Sequence, residues 1–167
     1  LGQCSIQQVA GFASLRAACG TVCRIPVQRQ LTAPLRSPQV LQRPSALAGD
    51  DAGRLYVADV SRKAVFVFDE KAGELLLWEH ADGARRFVAP SGVAIAADGI
   101  YVTDAELGAV FVLSRQGEPR GVIGKGKLTR PTGIARDAAT GRLFVADTYA
   151  HDVKVFDAQG ALIATHG

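Results

Sequence analysis

The sequence contains no methionine, one tryptophan and three cysteines, and the cysteines all lie within the first 23 of its 167 residues. An odd number of thiols at one end cannot staple the body of the chain with internal disulfides. Cys19 and Cys23 are four apart with no histidine following, which excludes c-type haem attachment. His80, His151 and His166 lie far off at no ligand spacing, which excludes a Cys/His zinc site. No apolar run reaches the length needed to span a membrane as a helix. Excess charge of one sign is also small: 19 Lys and Arg against 16 Asp and Glu give +3. That excludes a histone-like tail and says little else about partners. The remainder is ordinary globular composition, 48% hydrophobic and 21% charged, at the length of one domain. Eighteen glycines among short Val, Phe and Leu runs point to strands and turns rather than to a helix bundle.

Residues 1–42 form a distinct N-terminal arm. Ala17 and Ala18 precede Cys19 in SLRAACG, the pattern of lipoprotein processing, with Cys19 as the lipidation candidate. Against it stand Arg16 where a small or apolar residue is usual, Leu15 one place early, and no basic or strongly apolar region upstream. The alternative is a disordered extension with reduced thiols. Pro26, Pro34, Pro38 and Pro44 then interrupt a Gln- and Arg-rich stretch, so an extended arm is expected, with a short strand around Val40–Gln42.

The rest of the chain repeats itself. RPSALAGDDAGRLYVADVSRKAVFVFD begins at Arg43, APSGVAIAADGIYVTDAELGAVFVLS at Ala89, and RPTGIARDAATGRLFVADTYAHDVKVFD at Arg130. Pro44, Pro90 and Pro131 open the units, and Asp59, Asp104 and Asp147 recur within them. Each Asp is followed six residues later by Val65, Val110 or Val153, and three residues on by Phe68, Leu113 or Phe156. Fixed offsets within a unit and variable lengths between units describe a structural module with tolerant loops. Each unit reads as four short strands, a to d. Strand a covers Ala46–Ala48, Val93–Ala96 and Gly133–Ala135, and strand b covers Leu55–Ala58, Ile100–Thr103 and Leu143–Ala146. Strand c covers Val65–Phe68, Val110–Leu113 and Val153–Phe156, and strand d covers Glu74–Trp78, Arg120–Ile123 and Ala161–Thr165. Strands b and c are apolar at successive positions, so each sheet must be covered on both faces. Small sheets stacked around an axis satisfy this: an all-β propeller of three four-stranded antiparallel blades, at about 43–88, 89–129 and 130–167.

The unit P-x-G-[IV]-A, then G-x-[LI]-[FY]-V-[AT]-D, then the valine and F-D of strand c, resembles the NHL repeat. Gly92 and Gly133 match its first glycine, while Ser45-Ala46 departs from it. The resemblance covers residues 43–167 and implies a propeller that closes with six blades. Three blades are half a ring, so the sequence is expected to be the first half of a longer chain or, alternatively, to close by pairing two copies. An uncovered blade face is expected to make the isolated chain aggregate or dimerise. The order of arm and blades is similar to that of bacterial envelope NHL proteins, which favours a periplasmic or lipid-anchored location over a cytoplasmic one.

Few residues suggest chemistry. The recurring Asp59, Asp104 and Asp147 read as turn formers that accept backbone N–H groups, because a catalytic residue would occur once rather than in every blade. His151 lies in the b–c loop opposite Lys63 and Gly108 of the other units and lacks a histidine partner at an equivalent position. Ser91 has no evident His/Asp partner, and GVIGKGKLTR from Gly121 lacks the ending of a phosphate loop. No cofactor or metal ligand set is expected. The b–c loops (60–64, 105–109, 148–152) and d–a loops (79–90, 124–131) should share one face. Arg62, Lys63, Arg85, Arg86, Lys125, Lys127 and Arg130 fall there with Tyr149 and His151, against Glu79, Asp82, Glu106 and Asp152. These are the binding-face candidates. The expected function is a non-enzymatic module for a protein, peptide or glycan. The alternatives are a metal-dependent lyase or lactonase-type hydrolase on the axis, and nucleic-acid binding, which the thin aromatic content disfavours.

Overall fold

The computed structural model describes residues Cys23–Pro26 and 40–167, and every regular element in them is a strand. The first blade contains β2 (Pro44–Gly49), β3 (Arg54–Asp59), β4 (Ala64–Asp69) and β5 (Glu74–Trp78). The second contains β6 (Pro90–Ala96), β7 (Gly99–Asp104), β8 (Ala109–Leu113) and β9 (Pro119–Ile123). The third contains β10 (Pro131–Arg136), β11 (Leu143–Asp147), β12 (Asp152–Phe156) and β13 (Leu162–His166). Each blade is an antiparallel meander in sequence order, as the repeat predicts. The first blade differs in one respect: β1 (Cys23–Pro26) pairs antiparallel with β5 and makes a fifth strand on its outer edge. Val40–Gln42 forms no strand. The Gln42 amide instead donates to the Asp59 carboxylate at 2.6 Å.

Side chains alternate across each sheet, and both sets are apolar, as expected for sheets covered on both sides. Tyr56, Ala58, Val65, Val67 and Trp78 of the first blade pack against Val93, Ile100, Val102, Phe111 and Leu113 of the second. The other face of the second blade sets Ala94, Tyr101 and Val110 against Leu143, Val145 and Phe156 of the third. The outer part of the first blade's remaining face is buried at Val57, Ala64, Phe66 and Leu75. On the remaining face of the third blade, Phe144 and Val153 are exposed.

Two polar devices tie successive blades. Along the first strands, the Ser45 hydroxyl donates to the Pro90 carbonyl (3.1 Å) and the Ser91 hydroxyl to the Pro131 carbonyl (2.9 Å). The Thr103 hydroxyl adds a bond to the Thr132 carbonyl at 2.8 Å. This accounts for Ser91 without any catalytic partner. The second device is a clasp at the a–b turns. Tyr56 donates to Asp50, which is paired with Arg115 of the second blade at 2.8 Å. Tyr101 donates to Asp98, and Arg136 of the third blade bonds both while stacking 4.7 Å from the Tyr101 ring. Burial, with the Asp98 carboxylate beside it, pushes the Tyr101 phenol up to about 12, so it remains a donor.

The first-strand contact leaves no room for a side chain at Gly92. A Cβ there would lie 2.2 Å from the Thr132 carbonyl oxygen and 2.6 Å from the Thr103 hydroxyl. Gly92→Ala should therefore cost about 2–3 kcal/mol through forced separation of the blades; urea denaturation of the two proteins gives the difference directly, and equal midpoints would show that the junction is loose.

Candidate binding face

The loop face is organised by the recurring aspartates, all three fully buried. Asp59 accepts the amides of Gln42 and Arg43 from the incoming loop and that of Arg62 from the b–c turn. Asp104 accepts Val88 and Ala89 on one side and Glu106 and Leu107 on the other. Asp147 accepts Thr129 and Arg130, both at 2.7 Å. Each carboxylate thus fastens the incoming segment, the arm at Gln42–Arg43 or a d–a loop, to its own strand end, and Asp59 and Asp104 add the b–c turn contact that an Asx-type reading supplies. This brings the b–c and d–a loops to one face.

The third blade varies the arrangement in a way the sequence reading missed. Lys154 occupies the register position of Phe66 and Phe111, facing Val145 as they face Val57 and Val102. Its ammonium is buried and lies 3.1 Å from Asp147 and 2.7 Å from Asp152. Asp147 and Asp152 stand directly opposite each other across β11 and β12, where the other blades pair Asp with Ala64 or Ala109. Two carboxylates so placed repel, and Lys154 neutralises them. Burial opposes ionisation of Asp147, but the Arg130 and Thr129 amides and the Lys154 ammonium outweigh it and hold the carboxyl below the usual range. Lys154 is likewise held charged: burial opposes the ammonium, and Asp152 and Asp147 more than offset it. The detectable signal was a lysine inside VKVF where the other units read VFVF and VFVL.

The remaining candidates are placed as follows. Arg85 pairs with Asp82 and lies over the Phe111 ring, and Arg86 pairs with Glu79. Arg130 pairs with Glu106 of the second blade at 2.9 Å and stacks 5.0 Å from the Tyr149 ring, which is 67% exposed. The Arg62 guanidinium donates to the Val40 carbonyl. Lys63, Lys125 and Lys127 are exposed. All four acidic residues of the face are therefore engaged by cations: three by Arg85, Arg86 and Arg130 of the seven basic candidates, and Asp152 by the buried Lys154. Lys63 and His151 have positive φ, 54° and 57°, at the b–c position that Gly108 fills at 61°. The three are one turn element defined by backbone conformation rather than residue type. His151 also lines an open hollow with Thr148, Asp152 and His166, a histidine neighbour that spacing did not reveal. Among the described residues no group of three or more His, Cys, Asp or Glu could hold a metal ion. Cys19 lies outside the described residues.

Residues 128–156 match the family model of the NHL repeat. The third blade is an NHL repeat. The solved structures similar to the chain include β-propeller proteins. A catalytically inactive virginiamycin B lyase from Staphylococcus aureus, solved with quinupristin, has TM-score 0.61 and 13% identity, covering 75% of this chain and 42% of that one. The nidogen/laminin complex has TM-score 0.61 and 23% identity, covering 73% and 48%. Hydrazine synthase of Kuenenia stuttgartiensis has TM-score 0.60 and 19% identity, covering 76% and 36%. The chain therefore spans less than half the length of these structures, and at these identities the likeness is one of fold. No curated protein matches the sequence.

Two outcomes follow for the NHL blade. Lys154→Phe alone should cost about 3 kcal/mol, because it leaves Asp147 and Asp152 opposed and buried; adding Asp152→Ala, the pairing of the other blades, should recover at least half of that loss in denaturant titrations. Because the Asp147 carboxyl is held below its unfolded value, its contribution is complete above about pH 5 and disappears as pH falls through the folded value. Asp147→Asn should accordingly flatten the acid limb of the stability profile measured from neutral pH downward, whereas an unchanged profile would show that the carboxylate contributes nothing.

Proposed function

We propose that the chain is a non-enzymatic binding module that holds a protein or peptide on its b–c/d–a loop face. The observation that carries this reading is the Arg130–Tyr149 pair, an exposed aromatic ring under a guanidinium that Glu106 of the neighbouring blade holds in place. Tyr and Arg held rigidly at a surface bind at small entropic cost and are the residue types that dominate protein interfaces. The repeated carboxylates are occupied with backbone amides, which supports an architectural role for them rather than a catalytic one. The nidogen/laminin structure shows a propeller of this fold within a protein complex, and the same use is proposed here. Among the binding-face candidates Tyr149 is the one exposed Phe, Tyr or Trp ring, which argues against a single-stranded nucleic acid held by base stacking. A lipid anchor at Cys19 would place the module at a membrane surface.

A random-peptide display library panned against the immobilised chain tests this reading. Selected peptides should lose at least tenfold in affinity with Tyr149→Ala or Arg130→Ala, at unchanged melting temperature, and should be indifferent to Lys71→Ala on the opposite face. Peptides that ignore Tyr149 and Arg130 but respond to Lys71 would place binding elsewhere. Stoichiometric uptake of a divalent metal with turnover of a small ester or lactone would replace the reading with the enzymatic one.

A further inference from the structure

Taking the loop face as the binding face, we propose that its partner is an acidic segment of a protein, whose carboxylates meet Lys63 at one end and Lys125 and Lys127 at the other, with an apolar side chain on Val88 between them. Arg85, Arg86 and Arg130 already hold Asp82, Glu79 and Glu106, and Lys154 holds Asp152, so the face has no carboxylate of its own to spare. Lys63, Lys125 and Lys127 are exposed and meet no acidic side chain among the described residues. The arm passes the first b–c turn where the Val40 carbonyl accepts the Arg62 guanidinium. No Asp or Glu occurs before Asp50, so the arm brings no carboxylate to Lys63.

The three lysines lie along one line of contacts that crosses both blade junctions. The Val88 amide is fixed 2.7 Å from Asp104 at the end of β7. The b–c turn that follows ends at Gly108, where a Cβ would lie only 2.9 Å from the Leu128 carbonyl oxygen of the next d–a loop. Lys127 therefore stands directly beyond that turn. Lys63 precedes Ala64 as Gly108 precedes Ala109, and Val88 bonds its blade's Asp as Thr129 does. Lys63 is thus set beside Phe87 and Val88 as Gly108 is set beside Leu128 and Thr129. The order along the face is one ammonium, the Val88 side chain at 38% exposure, the turn, then two ammoniums. The backbone under them is fixed. The Gly124 carbonyl accepts the Lys127 and Leu128 amides at 2.9 and 3.0 Å, and the Leu128 side chain is buried with Phe156. A fixed backbone lowers the ordering cost of binding. Opposite charge steers the encounter and sets register, while an apolar centre supplies the dry contact. A single-stranded nucleic acid would meet the same lysines but would find no ring to stack on at Val88.

Peptides panned from a random display library against the immobilised full chain are the probe. They should be enriched in Asp and Glu and depleted in Lys and Arg relative to the unselected library, and their affinity should fall as salt is added. Combining Lys63→Gly, Lys125→Gln and Lys127→Gln should weaken them at least tenfold, and arginine at the three positions should restore binding. Melting temperature should not fall, because Lys63→Gly supplies the residue that the second blade carries at this left-handed position and the other two side chains are exposed. Selected peptides that need Tyr149 and Arg130 but are neutral or basic, or that ignore the lysine variants, would overturn the acidic-segment proposal and leave the binding face standing. Acidic peptides that need the lysines but ignore Tyr149 and Arg130 would uphold the proposal and move the anchor off that pair. A fluorescein-labelled single-stranded RNA that binds through the three lysines, where no acidic peptide does, would overturn it in favour of a nucleic acid.

Discussion

One contact organises everything on the loop face: a buried carboxylate at the end of each second strand, holding the amides of the segment that leads into that blade's first strand. A loop amide taken out of water without a partner costs as much as a broken hydrogen bond, and here two amides per blade are satisfied by one side chain. The arrangement determines where each first strand begins, and therefore how closely successive blades approach. It also places the b–c turns beside the d–a loops, so that Arg130 of the third blade reaches Glu106 of the second. The candidate face is a consequence of that fastening.

The blades are then held from both ends of the strands. Above lie the carboxylates and the hydroxyl-to-carbonyl bonds of Ser45 and Ser91; below lie the tyrosine, aspartate and arginine clasps around Asp50 and Asp98. Between them the apolar faces interdigitate. The polar contacts give the stack its register, because apolar packing alone is non-directional. The buried Lys154 site shows the same logic under a changed sequence. Once Asp152 stands opposite Asp147, a cation becomes necessary, and the aromatic residue of the other blades gives way to lysine.

Much of this was legible in the sequence because it repeats. The fixed offset from Asp59 to Val65 and Phe68 gave strand order and register, and unbroken apolar runs gave coverage on both faces. The turn role of the aspartates followed from their recurrence. What escaped was everything that depends on which residues meet across blades. Ser91 is indistinguishable in sequence from any surface serine until the Pro131 carbonyl is brought to it. Arg136 and Tyr101 are 35 residues apart. The approach of His166 to His151 depends on the pairing of β12 with β13. The strand formed by Cys23–Pro26 lies in a stretch whose prolines and polar residues read as an extended arm, a backbone shape that a sheet edge can also accept.

The central claim is that the three carboxylates fasten the loops as firmly as the strands themselves. Amide hydrogen exchange measures this directly. The amides of Arg43, Ala89 and Arg130 should exchange as slowly as those of the central strands, through the same global opening. Exchange of these three at the rate of exposed loop amides such as Lys125, with the strands still protected, would contradict the account.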